Sequence, residues 1–120
     1  MVTRVTTAFS YSSAVEVGDY VFIGFHRGFG ESLTEQIHSA FNHLQDTLQQ
    51  LGASLEQVVK INVQLKNIGD LPEMEQVFAD YFTDGEFPAR MISTTEFIDR
   101  NCLLMIDGVA YHPRSRIHKA

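Results

Sequence analysis

The chain reads as an α+β domain in which a mixed sheet of about six strands carries two helices on one face. Three observations predict it. Val59, Ile61, Val63 and Leu65 alternate with Lys60, Asn62, Gln64 and Lys66, the period of a strand with one dry and one wet face. Two segments, beginning at Ser32 and at Asp70, open on the spacing of a capping box and continue with apolar residues at helical intervals. The N-terminal third is rich in β-branched residues and holds a turn pair, Gly18-Asp19, between apolar runs.

Each element follows in order. Thr3 to Phe9 predicts an extended segment, and Val15 to Ile23 a hairpin about Gly18-Asp19. A loop is expected where Gly24, Gly28 and Gly30 cluster. In the first helix, Ser32 and Glu35 satisfy free N–H groups at the start. Leu33, Ile37, Phe41, Leu44, Leu48 and Leu51 form the apolar stripe, and Gly52 suits the C-terminal cap. The second helix begins at Asp70 and Glu73, with Pro72 tolerated in its first turn. Its stripe is Met74, Val77, Phe78, Tyr81 and Phe82, and Thr83-Asp84-Gly85 ends it. Met91 to Phe97 and Leu103 to Tyr111 predict closing strands joined through Asp99-Arg100-Asn101. The order is two strands, helix, strand, helix, two strands. Helices on one face leave apolar residues uncovered on the other, which predicts self-association, usually as a closed ring.

At 120 residues the chain is expected to be a single domain, 1–120, and 44% hydrophobic residues with nine Phe suffice for a core without disulfides or structural metal. The net charge of −6 argues against a generic phosphate-backbone binder, so nucleic acid is not an expected partner. Arg114, Arg116, His118 and Lys119 read as a solvated basic terminus. Cys102, the one cysteine, permits neither an internal disulfide nor a Cys-based zinc cage and fits a reducing compartment. The N-terminus lacks the apolar core of a signal peptide, and no apolar run approaches the roughly 20 residues of a membrane span. A soluble cytoplasmic protein with no membrane contact is expected. The five histidines lack metal-ligand spacing, so no metal is expected.

No nucleophile elbow, P-loop, dinucleotide fingerprint or zinc-protease motif is present. Arg90 follows Phe87-Pro88-Ala89 and opens a strand, where its planar fork suits a carboxylate or a structural ion pair. Asp107 ends the apolar run Leu103-Leu104-Met105-Ile106. It is open to three roles: partner of Arg90, general acid/base, or solvated strand end. Tyr11, between Ser10 and Ser12, either lines a pocket or packs. His26 and Arg27 read first as a solvated loop past Phe25.

Taken in order, these segments resemble the Rid (YjgF-like) family from Phe9 to about Tyr111. The resemblance rests on Val17-Gly18-Asp19, Leu51-Gly52-Ala53-Ser54, Val58 to Val63, Asp70-Leu71 through Val77 to Phe82, and Phe87-Pro88-Ala89-Arg90. It implies a chorismate-mutase-like α+β fold, β-β-α-β-α-β-β, and a homotrimer with clefts between subunits. It also implies hydrolysis of enamines and imines such as 2-aminoacrylate to ammonia and a 2-keto acid, with no cofactor. Arg90 then clamps the substrate carboxylate, and Tyr11 matches a tyrosine near the cleft. Three departures accompany the match. Members that deaminate carry Glu fifteen residues after the arginine, where this chain has Met105, and Asp107 falls on a second acidic position. Gly24-Phe25-His26 replaces Ser-Gly-Gln, and Ile92 replaces a cysteine. The expected function is an imine deaminase using Arg90 and Asp107, with Tyr11, Gly24, Phe25, His26, Ile92 and Met105 around the substrate. The alternative is a non-catalytic trimer that binds small carboxylates or a protein partner, and endoribonuclease activity ranks below both.

Overall fold

The computed structural model describes residues 1–113, so the basic terminus from Arg114 onward lies outside the described residues. Six strands form one sheet: β1 (Val2–Thr6), β2 (Ser12–Val17), β3 (Tyr20–Arg27), β4 (Val58–Leu65), β5 (Ala89–Thr94) and β6 (Leu104–Tyr111). Their spatial order is β1-β2-β3-β6-β4-β5. All neighbours are antiparallel except β4 and β5, which run parallel because α2 (Leu71–Ala79) crosses between them. Helix α1 (Leu33–Gln50) lies against β2, β3 and β6, and α2 packs beside it. The expected mixed sheet with two helices is therefore present. The N-terminal third supplies three strands rather than two, because Thr3 onward pairs with the first arm of the hairpin.

Local rules explain most boundaries. Ser32 caps α1 by accepting from the Glu35 N–H at 3.1 Å, and the Glu35 carboxylate accepts from the Ser32 N–H at 3.1 Å. These bonds pull the Glu35 carboxyl below its usual range, the backbone donors being the largest cause. Gly52 takes φ +74° beyond the helix, the left-handed conformation a C-terminal stop needs. The second capping box does not form. A 3₁₀ turn (Ile68–Asp70) feeds straight into α2, leaving Asp70 helical with no side-chain cap bond. Glu73 instead accepts from Thr34 Oγ1 on α1 at 2.7 Å.

The core lies between sheet and helices. Phe41 of α1 is buried against the rings of Phe78, Tyr81 and Phe82, with centroids 5.7, 4.1 and 6.1 Å away. Ile61, Val63 and Leu65 of β4 point into it as their period predicts. Val59 does not: a register shift between Val58 and Lys60 buries Val58 and leaves Val59 exposed. Gly108 of β6 faces this irregularity, and a Cβ there would stand 2.1 Å from the Lys60 carbonyl oxygen. Glu16, buried on β2, pairs with His112 Nδ1 at 3.1 Å. Among the described residues no layer covers the opposite sheet face, and Tyr20, Phe22, Phe25 and Met91 are exposed there. Among the described residues no helix is long and apolar enough to cross a membrane.

Candidate functional site

Strand parity decides which side chains meet. On β6, Leu104, Ile106, Gly108 and Ala110 are buried toward the helices, so Met105, Asp107, Val109 and Tyr111 line the open face. Asp107 lies opposite Asn62 of β4, and Asn62 lies opposite Met91 of β5. On the other side, Ile23 pairs with Gly108 and His26 with Ile106, so Gly24 and Phe25 together oppose Asp107. That is a β-bulge, two residues against one. It carries β3 through the glycine to Arg27, where a loop had been expected.

Asp107 accepts from Asn62 Nδ2 at 2.7 Å. Asn62 Oδ1 is buried and has no hydrogen-bond partner among the described residues. Such an orphan acceptor costs roughly 1–3 kcal/mol, so a carboxylate and an unsatisfied carbonyl stand together on the open face. Beside them, Phe25, Arg27, Gln64 and Met105 floor a cavity of about 480 Å³, walled by the 95–99 segment with Phe97 and Ile98.

Arg90 is elsewhere. It is the second residue of β5, opposite Ile61, whose side chain is buried under the helices. Its Nη2 pairs with Glu75 of α2 at 2.6 Å, and its guanidinium sits over the Phe78 ring at 4.8 Å. The Arg90–Asp107 pairing, one of the three readings open for Asp107, is therefore not made, because the two side chains leave opposite faces of the sheet. Ile92 shares the Arg90 face and packs against the core.

His26 also turns to the helical side. It is buried, with Nδ1 against the Gly24 carbonyl at 2.7 Å and Nε2 against Thr47 Oγ1 at 2.8 Å. Burial is the main cause that holds its pKa below the ordinary value, and nearby His43 adds to this. It is a core histidine rather than a loop residue. Tyr11 is exposed just before β2 and stacks on Phe9, with centroids 6.3 Å apart, outside the cavity. So Gly24, Phe25, Met105 and Asp107 come together within one chain, while Arg90, Ile92, His26 and Tyr11 do not join them.

Arg27, read from the sequence as part of a solvated loop, is a strand residue that lines the cavity. Its Nη1 bridges Asp99 Oδ2 at 2.7 Å, and its guanidinium lies 4.3 Å from the Phe29 ring centroid. Asp99 Oδ1 accepts from the Asn101 N–H, and that bond, with the Arg27 contact next, lowers the Asp99 pKa. Extending β3 past Gly24 with one bulge would have placed Arg27 beside Phe25.

The mixed sheet and two-helix layer define a small α+β fold of the YjgF type. The model for the family described as endoribonuclease L-PSP matches residues 1–112, and the chain belongs to that family. It is 29% identical over 109 residues to a RutC family protein of Pyrococcus abyssi, covering 84% of this chain and 85% of that protein. It is 26% identical over 107 residues to a protein of Dermatophagoides farinae named 2-iminobutanoate/2-iminopropanoate deaminase, covering 82% and 83%. A crystal structure of a YjgF/YER057c/UK114 family member from Mycobacterium tuberculosis superposes with TM-score 0.86 at 25% identity, covering 92% and 99%. A YjgF family protein from Neisseria meningitidis shares the fold at TM-score 0.89 and 22% identity, covering 95% and 97%.

Proposed function

We propose that the chain is an imine deaminase that releases ammonia and a 2-keto acid, with its site on the open sheet face. The observation that carries this reading is the Asn62–Asp107 pair at the bulge, a carboxylate beside an orphaned acceptor. Asp107 takes a proton from water as its oxygen bonds to the imine carbon, and the C=N electron pair moves to nitrogen. The proton then passes to that nitrogen to give the carbinolamine. Asp107 next takes the hydroxyl proton and hands it to the amino group, and ammonia leaves as the C=O bond forms. Asn62 Oδ1 accepts an N–H of the departing group, which satisfies the buried acceptor. The deaminase name of the Dermatophagoides relative supports the same reaction class.

Arg90 clamps the substrate carboxylate. Because it leaves the opposite face from Asp107, the clamp comes from a second copy, with β5 at the sheet edge brought to its neighbour's open face. A homotrimer with clefts between subunits meets this need and covers Phe22, Phe25 and Met91. The second reading, a non-catalytic trimer that binds small carboxylates, is favoured by Met105 in place of an acid.

The test generates imines with an amino-acid oxidase and follows their loss with wild type, Arg90→Ala, Asp107→Asn, and oligomers formed from a mixture of the two variants. Each variant alone is expected to be impaired. Each mixed ring has one cleft with both residues intact, so mixing restores part of the rate. Ligand binding without faster imine loss would establish the non-catalytic reading.

A further inference from the structure

The residues from 95 to 103 have no regular structure, yet side chains from β3, from α1 and from Lys66 just past β4 fasten them. Arg27 of β3 bridges Asp99, Lys66 Nζ donates to the Arg100 carbonyl at 2.7 Å, and Gln36 Nε2 of α1 donates to the Asn101 carbonyl at 2.7 Å. Gln36 is buried and also accepts from the Leu103 N–H at 2.8 Å. Arg27 and Asp99 line both the 480 Å³ cavity and a second cavity of about 590 Å³, so their bridge forms part of the wall of each.

We propose that the 480 Å³ cavity is the side-chain pocket of the site and that Arg27 is its positioning residue, making the preferred ligands 2-imino acids with bulky apolar side chains. The proposal rests on the deaminase reading for its reaction and deepens it by naming the substrate class. Met105 precedes Asp107 by two residues on the same face, about 7 Å along the strand, so the cavity begins where a substrate side chain would extend. Phe25, Met105, Phe97 and Ile98 give it apolar walls. Its charged groups are Arg27, Asp99 and Glu96. Arg27 and Asp99 are matched, which leaves Glu96 to disfavour acidic side chains. A methyl side chain would leave most of the volume unfilled. A branched or aromatic one fills it, and each added methylene in such a pocket is worth roughly tenfold or more in discrimination.

Two measurements test it. Steady-state kinetics would compare imines from leucine, phenylalanine, alanine and glutamate, for wild type, Asp99→Asn and Asp99→Glu. Calorimetry would compare binding of 4-methyl-2-oxopentanoate with pyruvate. Wild type is expected to favour the leucine and phenylalanine imines over the alanine imine by about tenfold or more in kcat/KM, with glutamate lowest. Asp99→Asn is expected to collapse that ratio through KM, and Asp99→Glu to recover part of it. Turnover without such a preference, or a variant effect equal for all substrates, would overturn the pocket assignment. Absence of turnover with tighter binding of 4-methyl-2-oxopentanoate than pyruvate would remove the deaminase reading and leave the pocket standing. Equal binding of the two acids would remove the pocket.

Discussion

Replacing Glu75 with Gln should raise activity rather than lower it. Arg90 is held by a 2.6 Å ion pair to a carboxylate that is 55% exposed, and its own side chain is 25% exposed. Pairs this open to solvent contribute about 0.2–1 kcal/mol. To clamp a substrate, Arg90 must give up some of that contact, so the pair subtracts from binding. Removing the Glu75 charge should therefore improve kcat/KM by up to about fivefold, the equivalent of 1 kcal/mol. Arg90→Ala loses a charge-assisted bond to the ligand, about 1.5–3 kcal/mol, or about 10- to 150-fold in kcat/KM. The assay is initial-rate imine loss, with sedimentation confirming that each variant keeps the wild-type assembly. In the Arg90→Ala background, Glu75→Gln should add nothing. Full activity in Arg90→Ala, or a gain from Glu75→Gln that survives without Arg90, would refute the clamp and leave Arg90 as a tie between β5 and α2.

His26 is kept neutral by burial, so its folded pKa is lowered. Its stabilising contribution is complete above the unfolded value of about 6.5 and is lost as pH falls through the folded pKa. Thermal midpoints should thus drop more steeply below pH 6.5 in wild type than in His26→Gln, and equal slopes would contradict the assignment. Gly28→Ala should destabilise by about 1–3 kcal/mol or more in denaturant melts, since its Cβ would stand 1.8 Å from the Gln36 carbonyl oxygen. Gly69→Ala, with nothing within 4 Å, is the control expected to stay near wild type. Phe41→Ala should cost about 3–5 kcal/mol by the same measurement, because three aromatic rings lose their common neighbour.

Helix α1 was legible residue by residue, because its cap, its stripe and its terminal glycine all act over one or two turns. The faces of β4 and β3 were harder to read. A period-two pattern gives relative facing within a run, but a bulge resets it, and the bulges at Val58–Lys60 and Gly24–Phe25 depend on partner strands. Val59 and His26 were misplaced for that reason. The Asp70–Glu73 spacing was present without the cap, since a preceding 3₁₀ turn left Asp70 no room to act as one. The site was half legible. Asp107 stood out as a charge in an apolar strand, and Phe25 and Met105 as departures from a family pattern. The facing of Arg90 was not legible, because it is fixed by the parallel register of β5 on β4. Arg27 was read with His26 as a solvated loop, because the glycine before it marks a bulge and not a turn.

The bulge on β3 has one more consequence. Val21, Ile23 and His26 keep their inward facing on either side of it, so Gly24 and Phe25 occupy a stretch that a regular ladder would fill with one residue. The surplus residue belongs to the open face. A chain shortened here by deleting Phe25 would still present the same residues to α1, whereas a deletion elsewhere in the strand would turn its interior outward. Residue number in this stretch is thus a variable that evolution or an engineer can change to widen the cavity while the interior keeps its frame.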